Sequence, residues 1–293
     1  MSEKKKLGGE ALRNTSASFK GWTKPGPMPD LEQMHEVPLD DGETLDALCG
    51  HFRIFQLKDG HRFSTDDVLT AWYATSWCPS ARRALDLGSG LGTVAMCVAW
   101  RLQGVSVVGV EAQEMSVALA KKSRLYNGLQ DRYEIRQGDF RTQGLSEDER
   151  FDLITGTPPY WPLDAGVQSE HEQKIACRFE VRGDVADYCH VAARHLAPGG
   201  TFTCVFQARP QMQLDRVFQG AEDAGLMVVR WRPIVMRGGD EPLLGLFMMM
   251  RKEDLPEKFI GESFEEPPLV IREKDGRVGR EYQSVKMSFG FPP

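Results

Sequence analysis

The segment Ala84-Leu-Asp-Leu-Gly-Ser-Gly-Leu-Gly-Thr93 constrains the fold more than any other part of the sequence. A short apolar run ends in Asp86 and is followed by glycines at three alternate positions. Glycine has no Cβ, so it permits a sharp turn and lets a ligand approach the backbone closely. The stretch from Leu91 to Leu102 then has a composition compatible with a helix. The segment therefore predicts a strand that passes into a helix around a ligand crevice, as in an open α/β sheet.

The spacing of these glycines, Gly88, Gly90 and Gly92, separates two cofactor classes. A dinucleotide-binding loop requires G-x-G-x-x-G, whereas here the third glycine comes one position early and Thr93 stands where that motif needs glycine. The pattern Asp-x-Gly-x-Gly-x-Gly, with Asp86 in first place, resembles motif I of the Rossmann-like methyltransferases that depend on S-adenosylmethionine (SAM). This resemblance implies that the segment binds SAM.

Two later acidic positions extend the expected cofactor site. Glu111 ends the strand-like run that begins at Val105, about 20 residues beyond the loop, where such folds place a carboxylate that binds the ribose hydroxyls. Asp139 and Phe140 follow a third strand-like run, where this class usually has an acid that accepts from the adenine amine of SAM. The alternatives are a solvated acid at a strand end and a turn-forming Gly-Asp pair.

Strand-like and helix-like segments alternate after residue 80, which is typical of a parallel sheet covered by helices on both faces. The predicted strands are 84–87, 105–111, 133–136, 151–156 and 201–207. Two further runs, 227–236 and 243–250, have too short a connection for a crossover helix and predict an antiparallel hairpin. The alternation predicts an α/β fold with a seven-stranded, mostly parallel sheet and an antiparallel C-terminal hairpin, and the resemblance to motif I implies that it is of the Rossmann-like class I methyltransferase type.

The chain is expected to divide into four segments. They are a flexible basic arm (1–40), an N-terminal cap over the SAM site (41–80), a SAM-dependent methyltransferase domain (81–252) and a C-terminal extension that packs on it (253–293). The net charge of −6 counts against a broad nucleic-acid surface, because phosphate binding depends mainly on Lys and Arg. Residues 1–24 are nevertheless rich in Lys and Arg, which fits either a solubilising tail or an electrostatic contact to RNA.

Composition predicts a cytoplasmic enzyme without a metal. No apolar run approaches the roughly 20 residues that a membrane span needs, and the first residues lack the apolar core of a signal peptide. The six cysteines are dispersed, with no pair or histidine partner at zinc spacing. We expect buried free thiols, no disulfide, no membrane contact and a monomer.

The predicted fourth strand ends in Thr157-Pro-Pro-Tyr-Trp161. Pro158 and Pro159 fix the backbone and remove two amide donors, and the rings of Tyr160 and Trp161 can stack on a base for about 1 to 3 kcal/mol per base. The segment resembles motif IV, Asn/Asp-Pro-Pro-Tyr/Phe, of methyltransferases that act on exocyclic amines or on amides. In that motif the first side chain and a proline carbonyl accept both N–H bonds of a poorly nucleophilic amine, so positioning and polarisation promote transfer.

Thr157 departs from that motif because it stands where the family has Asn or Asp. Threonine keeps an acceptor lone pair, but on a shorter side chain whose hydroxyl also donates. We expect Thr157 to act through a water, to weaken catalysis or to suit a different substrate. A rigid strand-to-loop turn without a catalytic role is the remaining alternative.

An N-terminal block narrows the family. Its residues resemble the Arg-Phe-Ser-x-Asp-x-Val-Leu stretch of the bacterial tRNA(Val) adenine-N6 methyltransferases, which packs over the methionine end of SAM. The matching positions are Arg62, Phe63, Ser64, Asp66, Val68 and Leu69. Arg178, in Ala176-Cys-Arg-Phe-Glu180, matches a later family segment less closely and is a candidate for substrate binding.

The resemblance implies transfer of a methyl group to N6 of the adenine immediately 3′ of a tRNA anticodon, where a loop base is accessible. Thr157, Pro158, Pro159 and Tyr160 are then the expected catalytic residues, and Tyr160, Trp161 and Arg178 the expected substrate-binding residues. The alternatives are a protein methyltransferase that modifies a glutamine amide and a catalytically weakened protein that binds SAM or RNA.

Overall fold

The computed structural model describes residues 18–19, 22–29, 37–160, 180 and 183–292, and the elements are numbered along these residues. The strands are β1 (Ser18–Phe19), β2 (Trp22–Thr23), β3 (Glu43–Cys49), β4 (Phe52–Leu57), β5 (Arg83–Leu87), β6 (Ser106–Glu111), β7 (Tyr133–Gln137), β8 (Phe151–Gly156), β9 (Leu196–Gln207), β10 (Leu226–Arg237), β11 (Leu244–Arg251), β12 (Phe264–Glu265) and β13 (Leu269–Arg272). The helices are α1 (Thr65–Trp77), α2 (Thr93–Arg101), α3 (Glu114–Tyr126), α4 (Val185–His195), α5 (Gln211–Asp223) and α6 (Arg280–Met287).

The main sheet contains the seven predicted strands in the order β10-β11-β9-β8-β5-β6-β7. Strands β5 to β9 pair in parallel, whereas β11 is antiparallel to both β9 and β10. Two short strands that the sequence did not predict, β12 and β13, add to β10 in parallel. The α/β class, the mostly parallel sheet and the antiparallel C-terminal hairpin are thus confirmed.

Helices cover both faces of this sheet, as predicted. Alternate residues of a strand point to opposite faces, and in β5 Ala84 joins one apolar cluster while Leu85 and Leu87 join the other. Helices α1, α2, α3 and α6 contribute to the first cluster, and α4 and α5 to the second. Burial of these two apolar layers orders the strands and fixes the position of the loops at their ends.

One observed strand begins well ahead of its predicted start. Strand β9 begins at Leu196, ahead of the predicted 201, and its pairing with β8 shifts register between Phe151 and Leu153. The residues Pro198-Gly-Gly lie within β9, ahead of the predicted start at 201. The hairpin of β3 and β4 and the helix α1 form the region expected to be a cap, and α4 packs opposite it on the other side of the sheet.

The five cysteines in the described residues are free thiols, and all but Cys78 are buried. No helix in the described ranges combines the length and the apolar character needed to cross a bilayer.

Candidate active site

The glycine loop lies between the end of β5 and the start of α2. Gly88, Gly90 and Gly92 have φ angles of 61°, 54° and 79°, in the left-handed region that favours glycine. A Cβ atom on Gly88 would lie 2.4 Å from the Tyr188 hydroxyl, and one on Gly92 would lie 2.7 Å from the Tyr133 hydroxyl. A Cβ on Gly90 would meet only the Gly88 carbonyl, at 3.9 Å. Protein packing therefore requires the two outer glycines, whereas the middle one borders free space.

Asp86 is a buried carboxylate in β5, directly before this loop. It is 2% exposed, and its register partner in β8, Thr155, donates a hydrogen bond to Oδ1 at 2.8 Å. Burial raises the pKa of Asp86 to about 6. The second oxygen, Oδ2, is buried and accepts no hydrogen bond from the residues that the structure describes. Because buried polar atoms normally have partners, this oxygen marks a place for a ligand donor.

Glu111, the last residue of β6, holds the glycine loop in place. Its side chain is buried, and its two oxygens accept from backbone amides. The Gly90 amide donates to Oε2 at 2.9 Å, and the Gln113 amide donates to Oε1 at 2.6 Å. Glu111 therefore positions the loop at the wall of the cavity.

Asp139 and Phe140 follow β7 and form another wall of the same crevice. The Arg141 guanidinium donates to both Asp139 oxygens, with Nε 3.0 Å from Oδ1 and Nη2 2.6 Å from Oδ2. The Phe140 ring packs edge-on against Tyr188, with 4.6 Å between ring centroids. Arg141 thus orients the carboxylate, and the two rings form an apolar wall beside it.

The connection from β4 to α1 carries the N-terminal block. Arg62 donates to Asp46 at 2.8 Å, and Ser64 is the N-cap of α1, in a capping box with Asp67. The Phe63 side chain packs against the first apolar cluster, and its amide donates to the Gln56 side chain at 2.8 Å. The block is therefore anchored to both the β3–β4 hairpin and the start of α1.

The segment Thr157–Tyr160 follows β8 directly. Leu87 and Gly156 are register partners at the ends of β5 and β8, so the glycine loop and this segment begin side by side. The two prolines are buried, whereas Thr157 and Tyr160 are partly exposed. Trp161 and Arg178 lie outside the described residues, as does most of the expected basic arm.

These parts line one cavity of about 590 Å³. Among the predicted site residues, those that line it are Arg62, Ser64, Asp66, Asp86, Gly88, Gly90, Glu111, Asp139, Phe140, Thr157, Pro158, Pro159 and Tyr160. Phe63 and Gly92 do not line it. The roles of all these residues stay predictions, but the structure brings most of them together from five separate parts of the chain.

Tyr188 and Asp67 are among the cavity-lining residues that sequence reasoning did not assign to the site. Tyr188 belongs to α4 and carries no motif, so only the packing of α4 against Gly88 reveals it. Asp67 follows the predicted residue Asp66. Its position three residues after Ser64, a capping-box pattern, could have indicated that it lies at the start of α1. Burial raises the pKa of Asp67 to about 8, and the neighbouring Asp66 adds to the rise.

The cavity contains many carboxylates, yet they are not arranged for a metal. Within the described ranges, no three His, Cys, Asp or Glu side chains are placed to share a metal ion. The acidic wall is formed by Asp86, Glu111 and Asp139, whereas Asp67 keeps its proton up to about pH 8. Such a wall favours a cationic ligand through its electrostatic field.

The replacement Asp67→Asn is expected to change the pH dependence of stability. The pKa of Asp67 lies at about 8 in the folded protein, against an ordinary value of 3.8, so the folded state holds an extra proton between these values. Stability of the wild type therefore falls as the pH rises through this window, and the asparagine variant lacks this loss. The unfolding free energy of the variant relative to wild type should rise by up to about 1.4 kcal/mol per pH unit and level off above pH 8.

Urea denaturation without cofactor, in buffers from about pH 5 to about pH 9, measures this difference. The variant Asp59→Asn removes an exposed acid of the same type and serves as the control. If Asp67→Asn and wild type keep a constant difference across the series, Asp67 does not hold the extra proton.

Comparison with known proteins adds an independent observation. The family model described as "Methyltransferase small domain" matches residues 68–224. A tRNA1(Val) (adenine(37)-N6)-methyltransferase of Bacteroides thetaiotaomicron is 28% identical over 198 residues, which are 65% of this chain and 77% of that relative. A release factor glutamine methyltransferase of Aliivibrio fischeri is 37% identical over 82 residues, which are 28% of each protein.

A solved structure has a similar fold. It is described as a predicted O-methyltransferase, Atu636, from Agrobacterium tumefaciens, and it superposes with a TM-score of 0.56 at 16% sequence identity. The similarity covers 78% of this chain and 98% of that one. The family match spans more than half of the chain and includes the glycine loop, Glu111 and Thr157–Tyr160. The chain therefore belongs to the Methyltransferase small domain family and is a methyltransferase.

Proposed function

We propose that this protein transfers a methyl group from SAM to the exocyclic N6 of an adenine in tRNA. The main support is that the residues expected to bind SAM and the segment Thr157–Tyr160 line the same cavity. The name of the Bacteroides relative supports the substrate, because that similarity extends over 65% of this chain and 77% of the relative. The expected position near the anticodon follows from the same relatives.

The residues of the cavity fit SAM. Glu111 and Asp139 line the cavity where the ribose hydroxyls and the adenine amine would bind, and Asp86 has a buried oxygen with no donor among the described residues. Gly90 adds no side chain that would narrow the crevice. The acidic wall also suits the positive charge of the cofactor.

When bound, SAM supplies an electrophilic methyl group on a sulfonium centre. The chain must then orient a weak nucleophile, because the adenine amine shares its lone pair with the ring. A proline carbonyl of this segment and the Thr157 hydroxyl, directly or through a water, would accept the two amine protons. The Tyr160 ring offers a stacking surface for the base. Orientation and polarisation by these groups lower the barrier without a strong base.

A loop adenine suits this site because bases in single-stranded loops can be splayed out without disruption of a duplex. Contacts from Trp161, Arg178 and the basic arm to the RNA stay predictions, as does the monomeric state. The competing proposal is methylation of a protein glutamine amide, which the local similarity to a release factor glutamine methyltransferase favours. That similarity covers a much smaller share of the chain than the similarity to the tRNA enzyme.

Incubation of the protein with methyl-labelled SAM and separate tRNA, rRNA and protein fractions tests the proposal. Label is expected in tRNA and in N6-methyladenosine after digestion. Label in the protein fraction, with none in tRNA, would support the glutamine alternative and refute the proposed function. Absence of label from all fractions, with SAM binding intact, would support a protein that binds but does not transfer.

Two substitutions in Thr157–Tyr160 should have opposite effects on transfer to adenine. Thr157→Asn is expected to keep or raise the rate, because the Asn amide oxygen reaches further from the backbone. Tyr160→Ala is expected to raise the transfer barrier by about 1 to 3 kcal/mol, the energy of one stacked base. Initial rates at saturating SAM measure both effects, and calorimetry should show unchanged SAM affinity. An inactive Asn variant with normal SAM affinity would mean that Thr157 serves another acceptor.

A further inference from the structure

A hydrogen bond joins the N-terminal block to the Thr157–Tyr160 segment. The Tyr160 hydroxyl donates to Asp66 Oδ2 at 2.8 Å, between residues that are 94 positions apart in the chain. The other carboxylate oxygen, Oδ1, accepts from the Ser64 hydroxyl at 2.5 Å. Both oxygens of Asp66 are therefore engaged inside the protein, although sequence reasoning assigned this residue to the cofactor.

The surroundings of the Asp66 carboxylate favour its hydrogen bond with the Tyr160 hydroxyl. It lies in the first turn of α1, where the partial positive charge of the helix terminus stabilises an anion. The Ser64 hydroxyl fixes its orientation from the other side. Burial and the adjacent Asp66 raise the pKa of Tyr160 well above its usual range, so the phenol keeps its proton and donates.

The Tyr160 ring is restrained at both ends. Its hydroxyl is bound to Asp66, and its ring packs edge-on against Phe206 in β9, with 5.8 Å between centroids. Pro159, the residue before Tyr160, restricts the backbone there. Tyr160 nevertheless remains partly exposed and lines the cavity. A side chain that is ordered before a ligand arrives does not have to be ordered by the ligand, which favours binding.

We propose that Asp66 is a positioning residue for Tyr160: it holds the ring in the orientation that receives the substrate base. This role rests on the proposed function, because it assumes that Tyr160 stacks on the adenine. In this role Asp66 acts on the substrate base through Tyr160. It does not contact SAM directly. The Asp66–Tyr160 bond also connects the start of α1 to the loop that contains Thr157.

A double-mutant cycle tests this role. Asp66→Ala removes the acceptor, and Tyr160→Phe removes the donor but keeps the ring. Each single variant is expected to raise KM for tRNA or lower kcat/KM by about tenfold, the factor typical of a lost hydrogen bond to a charged group. The double variant should be no worse than either single variant, because both remove the same interaction. The SAM dissociation constant should change less than twofold, roughly the error expected for independent sites.

The variant Asp66→Asn provides the conservative comparison. Its amide oxygen can accept from the Tyr160 hydroxyl, so it should recover much of the activity that Asp66→Ala loses. If Asp66→Asn recovers this activity when Tyr160 is present but not in the Tyr160→Phe variant, Tyr160 is the hydrogen-bond partner of residue 66. Thermal unfolding and SAM binding of each variant show whether it is folded. If Asp66→Ala does not fold, the comparison of Asp66→Asn with Tyr160→Phe still tests the role.

Different outcomes overturn different claims. Additive losses in the cycle, or a large loss of SAM affinity in Asp66→Ala with little effect of Tyr160→Phe, would refute the positioning role while the wild type remains an active tRNA methyltransferase. A wild type that neither methylates nor binds tRNA would refute the proposed function and this role with it. Wild-type activity on tRNA therefore distinguishes the two failures.

Discussion

The parallel pairing of β5 with β8 is the constraint on which the candidate site depends. Because Leu87 and Gly156 are register partners, the next residues of each strand, Gly88 and Thr157, begin two loops at the same level of the sheet. One loop has the spacing of a SAM site and the other resembles an amine-binding motif. A shift of this register by one residue would turn each side chain of β8 to the opposite face, and the Asp86–Thr155 hydrogen bond would be lost.

Contacts at the edge of the sheet then stabilise the shape of the cavity. Glu111 ties the glycine loop to the end of β6, and Arg141 orients Asp139 beyond β7. The Asp66–Tyr160 bond adds a connection from the N-terminal block. The Glu111 and Asp66 contacts each join loops that follow different strands, so the two apolar layers that order the strands also determine the geometry of the site.

The sequence predicted the parts of the fold that have strong local signals. The strand Phe151–Gly156 was predicted with the observed bounds, because its apolar run ends shortly before two prolines. The glycine loop was predicted because it lies between an apolar strand and a helix. Glu111 was found only through its distance from that loop, and its bonds to the Gly90 and Gln113 amides could not be inferred from spacing.

Other features depend on contacts between distant segments. Tyr188 lines the cavity because α4 packs against Gly88, and Asp66 meets Tyr160 across 94 positions of chain. No local pattern encodes such pairs, since they exist only after the strands have taken their order. Arg62 likewise binds Asp46 on the β3–β4 hairpin, a hairpin that was not predicted.

Nucleoside mass spectrometry of tRNA from cells that lack this protein tests the central claim most directly. The account predicts that one N6-methyladenosine disappears from tRNA and returns when the wild-type chain is supplied, but does not return with a variant that cannot bind SAM. An unchanged level of N6-methyladenosine in every tRNA fraction would contradict it.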